Sequence, residues 1–177
     1  MKVKKSKLLA LVGPTAVGKT ALSLHLAQSF SGEIVSADSR LFYRGMDIGT
    51  AKPSAAEQTA VPHHFIDICD PSETLTLGEY QARAFNTINT ILGREKLPML
   101  VGGTGQYVKA VVEGWGIPRV APHPELRQAL EKLGQDELGR WLTVLDPVKA
   151  AELDHRNVRR VIRALEVTLV RGLPISV

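Results

Sequence analysis

The chain has 177 residues, of which 44% are hydrophobic, enough for one sizeable core with a small appendage. A net charge of +4 permits a polyanionic partner without requiring one. The single cysteine, Cys69, excludes an internal disulfide framework and a thiolate-rich zinc site, and we interpret it as a small buried hydrophobic residue.

The first predicted elements are a strand at residues 7–12 and a helix at residues 21–27, with a glycine loop between them. Residues 13–20 satisfy the pattern GxxxxGK[ST] in the strand–loop–helix context that this pattern requires. Glycine lets backbone N–H groups approach an oxyanion, Lys19 supplies a positive charge, and Thr20 supplies a hydroxyl for phosphate oxygen or Mg²⁺. An ordinary glycine-rich turn is the alternative. The predicted phosphate- or diphosphate-binding residues are Gly13, Pro14, Thr15, Ala16, Val17, Gly18, Lys19 and Thr20.

Short apolar runs then alternate with a helical stretch. We predict strands at residues 33–36, 64–68 and 98–101, and a helix at residues 76–94 that a capping box of Thr76 and Glu79 opens. This alternation predicts an α/β fold, a P-loop NTPase-like parallel sheet flanked by helices. Ligands bind such sheets beyond the carboxyl ends of the strands, where the glycine loop, Asp38 and Thr104 would lie.

Residues 114–156 show no strand pattern and predict a small helical insertion or lid, with helical segments around residues 125–133 and 136–145. We expect a last helix at residues 157–170 with Gly172 as its C-terminal stop. The predicted organisation is therefore an α/β core at residues 1–113, a helical insertion at 114–156 and a return helix to the core at 157–177. No stretch is long enough to span a bilayer and residues 8–12 are too few for a secretory signal, so we expect a cytoplasmic protein without membrane contact.

Asp38 is the acidic residue that we expect closest to the glycine loop, at the tip of a strand beside the first strand. It could orient Mg²⁺ or act as a general base, and an Asx turn with Ser39 is the third interpretation. Thr104 could cap the following helix, contact ligand, or do both. One function class with these parts is an ATP-binding P-loop kinase that acts on a small hydroxyl substrate, with Asp38 as its base.

Four arginines near the end of the chain have helical spacing. Arg156, Arg159, Arg160 and Arg163 fall at i, i+3, i+4 and i+7, which predicts one arginine-bearing helix face. A solvated face is the usual interpretation of such a pattern. Only Glu166 lies nearby to neutralise the arginines, which favours phosphate contact modestly.

Five segments, at residues 13–20, 36–39, 43–53, 102–105 and 160–167, resemble in order the tRNA dimethylallyltransferase family, also called tRNA isopentenyltransferase. The resemblance implies transfer of a dimethylallyl group from dimethylallyl diphosphate to N6 of the adenine 3′ to the anticodon, position 37, in tRNAs that read codons beginning with U. The glycine loop and Mg²⁺ would hold the diphosphate leaving group, and Asp38 would accept the N6 proton. The extruded adenine would lie near Asp38 and Thr104, which the resemblance makes the catalytic residues.

The resemblance also implies a surface for the anticodon stem-loop of tRNA, gripped by the helical insertion of a monomeric protein. Many members have Gln where this chain has Leu41. The implied tRNA-contacting residues are Asp38, Ser39, Arg40, Leu41, Thr104, Arg127, Arg159, Arg160, Val161, Ile162 and Arg163.

The chain differs from the family in length, because members continue through a C-terminal portion that carries an arginine for the diphosphate. We therefore expect a fragment that binds diphosphate weakly and transfers the prenyl group poorly or not at all. Two further alternatives remain, a prenyltransferase of free adenine nucleotides and a non-catalytic nucleotide- or RNA-binding remnant.

Overall fold

The computed structural model describes residues 7–14 and 16–177, which form two compact units. The first unit ends at Ile117 and the second is Pro118–Val177. The predicted phosphate contact of Thr15 lies outside the described residues. No helix in the described part of the chain is long and apolar enough to cross a membrane.

The first unit contains a parallel sheet of four strands, as predicted. They are β1 (Leu9–Val12), β2 (Gly32–Ser36), β3 (His63–His64) and β4 (Leu97–Gly102). Their order across the sheet is β1-β4-β2-β3, and every neighbouring pair is parallel. The predicted α/β class is therefore confirmed.

The strand order corrects one prediction. We expected the strand that leads to Asp38 beside β1, but β4 lies between β1 and β2. The connection between β2 and β4 includes a long helix, α3 (Leu77–Gly93), which is ample for a crossover that inserts β4 between the earlier strands. Local sequence patterns identify a strand but not its neighbours, because neighbours are chosen by packing across the sheet.

Both faces of the sheet are covered by helices. Successive residues of β2 and β4 point to opposite sides, so each strand contributes to two hydrophobic clusters. Ile34 and Met99 pack on one side with Ala27 of α1 (Lys19–Ser29). Val35 and Leu100 pack on the other side in a larger cluster that includes residues of α3. The sheet therefore has a core on each face.

The predicted capping box of α3 is confirmed. The Thr76 side chain accepts the backbone N–H of Glu79 at 3.3 Å, and the Glu79 carboxylate accepts the backbone N–H of Thr76 at 2.9 Å. These reciprocal bonds satisfy two N–H groups that the helix start leaves without an intrahelical partner. The helix then runs to Gly93, one residue short of the predicted end.

The third predicted strand is wrong beyond its first residue. Only His63 and His64 pair with β2, and the backbone then takes positive φ angles of 65° at Phe65 and 54° at Asp67. Such angles break an extended strand and are costly for bulky side chains. The chain becomes extended again at Cys69, which pairs with Tyr43 in an isolated bridge. Cys69 is buried, as predicted.

Shorter elements complete the first unit. A 3-10 helix (Ser39–Phe42) follows β2, α2 (Ala55–Ala60) precedes β3, and α4 (Gly105–Val112) follows β4. The 3-10 helix and α4 both begin at the carboxyl edge of the sheet. They therefore carry the segments after Asp38 and Thr104.

The second unit is helical throughout, with α5 (Pro124–Glu131), α6 (Gln135–Leu145), α7 (Pro147–Glu152) and α8 (Val158–Arg171). Its core includes Leu138, Leu142 and Leu165. The short helix α7 was not predicted. Gly172 ends α8 with a left-handed φ of 67°, which confirms the predicted stop.

The last helix differs from its predicted assignment. We expected residues 157–177 to return to the α/β core, but α8 packs against α5 and α6 and belongs to the second unit. The reason is its apolar face, where Val161, Ile162 and Leu165 are buried in the core of that unit. The division between the units also falls at residue 117 and not at 113.

Candidate functional site

Three loops leave the sheet at its carboxyl edge. Val12 of β1 pairs with Gly102 of β4, and Val101 pairs with Ser36 of β2, so these three strands end at the same level. The glycine loop, the segment after Gly102 and the segment after Ser36 therefore start side by side. Within the first unit, the structure brings together the predicted phosphate loop, Asp38 and Thr104.

Two glycines make this close approach possible. A Cβ atom on Gly102 would lie 2.4 Å from the carbonyl carbon and oxygen of Ala37, which is closer than any such contact allows. A Cβ on Gly103 would lie 3.1 Å from the Gly13 carbonyl oxygen and 3.9 Å from the Lys19 ammonium. The end of β4 thus fits between the phosphate loop and the segment that carries Asp38 only because it has no side chains.

The phosphate loop has the backbone geometry of an anion-binding turn. Ala16 and Gly18 have positive φ angles of 67° and 85°, and Gly18 is the N-cap of α1. No side chain of the described residues caps the helix and its first turn has no acidic residue, so its N–H groups and partial positive charge are available to an anion. The Lys19 ammonium donates a hydrogen bond to the Pro14 carbonyl oxygen across the loop. This arrangement can bind a phosphate or diphosphate.

Asp38 makes the local turn that is one of the interpretations of this residue. One carboxylate oxygen, Oδ1, accepts the backbone N–H of Arg40 at 3.1 Å and caps the 3-10 helix. The other, Oδ2, has no hydrogen-bond partner among residues 7–14 and 16–177. The cap fixes the orientation of the carboxylate while Oδ2 can still accept a proton or bind a cation.

Thr104 connects the segments after β4 and β2. Its backbone N–H donates to the Ala37 carbonyl oxygen at 3.3 Å, and its hydroxyl accepts the backbone N–H of Ser39 at a long 3.5 Å. Thr104 occupies the N-cap position of α4 but makes no side-chain cap, so the capping interpretation is wrong for its hydroxyl. Ser39 and Leu41 are half-buried and Arg40 is exposed at this edge.

Lys52 holds the polar loop that follows Asp38, and sequence reasoning missed it. Its ammonium donates to Asp47 and Asp67 at 2.5 and 2.6 Å and to the Tyr43 carbonyl oxygen at 3.3 Å, and its side chain is 7% exposed. Burial lowers the pKa of Lys52, but the hydrogen bonds to the two carboxylates outweigh burial and raise it. The segment 43–53 contains Lys52, Tyr43 and Asp47, but its sequence does not indicate that Asp67 from a later segment completes the contacts of Lys52.

A buried tyrosine supports the strand before Asp38, and it was also missed. The Tyr80 hydroxyl donates to the Ser36 carbonyl oxygen at 2.9 Å, and burial raises the pKa of Tyr80. Its ring stacks on Phe42 of the 3-10 helix with the centroids 5.4 Å apart. The helical spacing of α3 could have indicated that Tyr80 faces the core, but not which carbonyl it binds.

The predicted arginine face is only partly present. Arg156 precedes α8 and forms an ion pair with Asp154 at 3.0 Å, so it is not on the helix. Arg159 and Arg160 lie on α8 and are exposed. Val161 and Ile162 are 1% and 5% exposed, so their predicted tRNA contact cannot be made by their side chains. Val161 and Ile162 lie between Arg160 and Arg163 in the sequence, and the helical spacing places them on the face of α8 that packs against the core.

Arg127 and Arg163 share one buried carboxylate. Arg127 donates from Nε and Nη2 to the two oxygens of Glu166, each at 2.8 Å, and Arg163 donates from Nη1 to Glu166 Oε2 at 2.5 Å. Burial raises the pKa of Glu166, but hydrogen bonds from Arg127, the His123 N–H and Arg163 outweigh it and lower that pKa to about 2. Sequence reasoning noticed Glu166 but not this clamp.

The oxygen donors at the carboxyl edge fit a hard cation such as Mg²⁺. Thr20 in the first turn of α1 offers a hydroxyl and Asp38 a carboxylate, and Mg²⁺ commonly takes one or two protein ligands plus substrate phosphates. Across the described residues there is no group of three His, Cys, Asp or Glu side chains that could hold a metal. His64 instead contacts Glu33 at 2.8 Å and His63 contacts the Val61 carbonyl oxygen at 2.7 Å, which agrees with structural roles.

The family model of IPP transferase matches residues 41–177. Among curated relatives, the tRNA dimethylallyltransferase of Roseiflexus sp. strain RS-1 is 59% identical over 96% of this chain and 57% of its own length. That of Chloroflexus aggregans is 58% identical over 97% of this chain and 59% of its own length. The chain thus spans less than two thirds of the length of these relatives.

Solved structures agree with these sequence relationships. The full-length tRNA isopentenylpyrophosphate transferase from Bacillus halodurans is 47% identical, with a TM-score of 0.63 over 96% of this chain and 57% of that chain. A eukaryotic dimethylallyltransferase acting on tRNA is 31% identical, with a TM-score of 0.79 over 92% of this chain and 42% of that one. The chain belongs to the IPP transferase family.

Proposed function

We propose that this chain carries the phosphate-binding loop and the general base of a tRNA dimethylallyltransferase. The reaction transfers a dimethylallyl group from dimethylallyl diphosphate to N6 of the adenine at position 37, in tRNAs that read codons beginning with U. The observation that carries the proposal is that the phosphate loop, Thr104 and Asp38 lie at one edge of the sheet, where only Oδ1 of Asp38 accepts a hydrogen bond from the described residues. The names of relatives up to 59% identical support the same reaction.

In the proposed reaction the phosphate loop holds the diphosphate of the donor as a leaving group. The loop N–H groups, the start of α1 and the Lys19 ammonium offset the negative charge that grows as the C–O bond breaks. Lys19 would exchange its hydrogen bond to the Pro14 carbonyl for the diphosphate. Mg²⁺, when bound, would be held by Thr20 and the phosphates and would supply further charge neutralisation.

Asp38 acts in this proposal as the base for the adenine. The N6 lone pair forms the new C–N bond as the C–O bond to diphosphate breaks, and Oδ2 accepts the proton that N6 loses. The bond from Arg40 N–H to Oδ1 keeps the carboxylate oriented during this transfer. An adenine must leave its stack to reach such a carboxylate, and Thr104 and Ser39 are polar groups beside it.

The proposed RNA contacts involve residues of each unit. In the first unit they are Ser39, Arg40, Leu41 and Thr104 near Asp38, and in the second they are Arg127, Arg159, Arg160 and Arg163. The name of the eukaryotic structural relative, a dimethylallyltransferase acting on tRNA, supports RNA as the partner. A cytoplasmic location and a monomeric state stay predictions.

Prenyl transfer tests the proposal directly. Labelled dimethylallyl diphosphate and unmodified tRNA are incubated with the chain, and label in the RNA is measured. We expect Asp38→Asn to reduce transfer by about 10²-fold or more because the base is lost, while the exposed carboxylate variant Asp136→Asn leaves it unchanged. Measurable transfer that is equal in wild type and Asp38→Asn would contradict the role of Asp38. Phosphoryl transfer from ATP, unaffected by dimethylallyl diphosphate, would favour the kinase instead.

Diphosphate binding tests the loop independently of turnover. We expect Lys19→Ala to weaken inorganic pyrophosphate binding at least about tenfold in calorimetry, because a charged hydrogen-bond donor is removed. Lys96→Ala is the matched control, since Lys96 is exposed and directly precedes β4 at the opposite, amino end of the sheet. Equal loss in both variants would indicate general charge attraction and no specific site.

A further inference from the structure

Glu166 is a fully buried carboxylate that faces an arginine pair. Its side chain is 0% exposed, and it accepts the His123 backbone N–H at 2.7 Å in addition to the bonds from Arg127 and Arg163. An unpaired charge at such depth would be strongly destabilising, so these donors are necessary for Glu166 to remain ionised. The same hydrogen bonds restrict the orientation of both guanidinium groups.

The two arginines keep donors for a second partner. A guanidinium has five N–H donors, and Arg127 uses two on Glu166 while Arg163 uses one on Glu166 and one on the Val120 carbonyl oxygen. The side chains remain 38% and 36% exposed. Arg127 Nη2 and Arg163 Nη1 both bind Oε2 of Glu166, so the two groups are adjacent and their orientations are coupled.

We propose that Glu166 is a positioning residue for RNA binding. It aligns Arg127 of α5 and Arg163 of α8 so that their remaining N–H groups form a preorganised site for phosphodiester oxygens, and it does not contact the RNA itself. Preorganisation lowers the entropy lost when long side chains bind phosphate. This inference rests on the proposed function, because it takes RNA as the ligand of the arginine pair.

The direction in which RNA affinity changes when Glu166 is replaced distinguishes a positioning role from a purely electrostatic or a purely structural role. Replacing Glu166 with an uncharged residue makes this surface more positive, and electrostatics alone would then tighten RNA binding. A purely structural carboxylate would change the stability of the unit but not the affinity of folded molecules. Positioning predicts weaker binding in spite of the added positive charge, because the freed arginines lose their fixed geometry.

The test compares Glu166→Gln with Asp146→Asn in the full chain. Asp146 is a matched control, since it is also 0% exposed in the second unit, where it accepts N–H and O–H groups of Ser176 and caps α7. A fluorescent synthetic RNA hairpin of an anticodon stem-loop is titrated by anisotropy at several salt concentrations, with folding checked by circular dichroism. We expect E166Q to weaken binding about tenfold and to reduce the salt slope by about one, and D146N to leave both unchanged.

Unchanged or tighter binding by E166Q would overturn the inference, as would a wild-type chain that does not bind the hairpin. In an Arg127→Ala, Arg163→Ala background, E166Q should cause no further loss, and a full additional loss would also overturn it. If E166Q does not fold, Arg127→Lys serves instead, because it keeps the charge but loses the fork that Glu166 holds. Unchanged binding by Arg127→Lys would refute positioning. Measurable prenyl transfer that Asp38→Asn leaves unchanged, together with the expected E166Q effect, would refute only the proposed reaction.

Discussion

At the residue scale, Gly102 is the glycine where an added Cβ would make the closest contact. We expect Gly102→Ala to destabilise the chain by at least about 2 kcal/mol, because the added Cβ would meet the Ala37 backbone at 2.4 Å and backbone cannot move aside cheaply. Urea unfolding at equilibrium measures this change. The substitution Gly102→Ala should also shift the backbone at Ala37, which directly precedes Asp38.

Gly105 offers the control for that substitution. It starts α4, three residues further on, and a Cβ there would meet nothing within 4 Å. Gly105→Ala should therefore be neutral or stabilise the chain by up to about 1 kcal/mol, since alanine loses less backbone entropy in a helix. Similar destabilisation by both substitutions would show that close approach to Ala37 is not the cause.

Glu166 should make the free energy of unfolding of the second unit depend on pH in the acid range. Its pKa of about 2 lies below the ordinary value of 4.5, so the ionised form stabilises the fold at pH values above that ordinary value. This contribution is lost as the pH falls from about 5 towards 2, because protonation removes the bonds to the two arginines. Urea midpoints measured across this range should fall more in wild type than in E166Q. Parallel decreases in the two proteins would assign the acid sensitivity elsewhere.

At the element scale, the capping box accounts for the start of α3. We expect Thr76→Ala to reduce the free energy of unfolding by about 1 kcal/mol, because the Glu79 N–H loses its acceptor at the helix start. Guanidinium unfolding followed by circular dichroism measures the loss. Thr90→Ala is the control on the same helix, since the Thr90 hydroxyl only donates to the Asn86 carbonyl oxygen within the helix. We expect a change within about 0.5 kcal/mol there, and equal effects would argue against the cap.

Elements differ in how far local patterns describe them. The start of α3 follows from Thr76 and Glu79, and the end of α8 follows from Gly172, because caps depend on residues a few positions apart. The strand predicted at residues 64–68 has an apolar pattern of the same quality, yet only His63 and His64 pair with β2. Phe65 turns into the core with a positive φ, and this choice depends on Phe42 and Tyr80 from other elements.

At the scale of the whole molecule, the second unit has the parts of an independent fold. Among the described residues, its core draws only on those of 118–177, and Asp146 accepts hydrogen bonds of 2.9 and 2.6 Å from Ser176 near the end of the chain. We expect a peptide of residues 118–177 to be helical and to unfold cooperatively, although a unit of this size has marginal stability. Circular dichroism during heating measures this.

The same peptide with Leu142→Ala is the comparison, because Leu142 is fully buried in that core. Its loss should cost about 2 to 5 kcal/mol and abolish the transition in so small a unit. A wild-type peptide without a cooperative transition, or one that Leu142→Ala leaves unchanged, would show that residues 118–177 require the rest of the chain to fold.

The sequence by itself determined the features that short-range chemistry decides. A strand, a glycine loop and Lys19-Thr20 before a helix define the phosphate loop locally, and alternating strands and helices predict a parallel sheet. The tertiary structure alone decided the insertion of β4 between β1 and β2, the ion pair of Lys52 with Asp67, and the addition of Arg127 to the pair of Arg163 and Glu166. Each of the last three depends on contacts between segments distant in the chain, and local propensity carries no information about which distant segments will pack together.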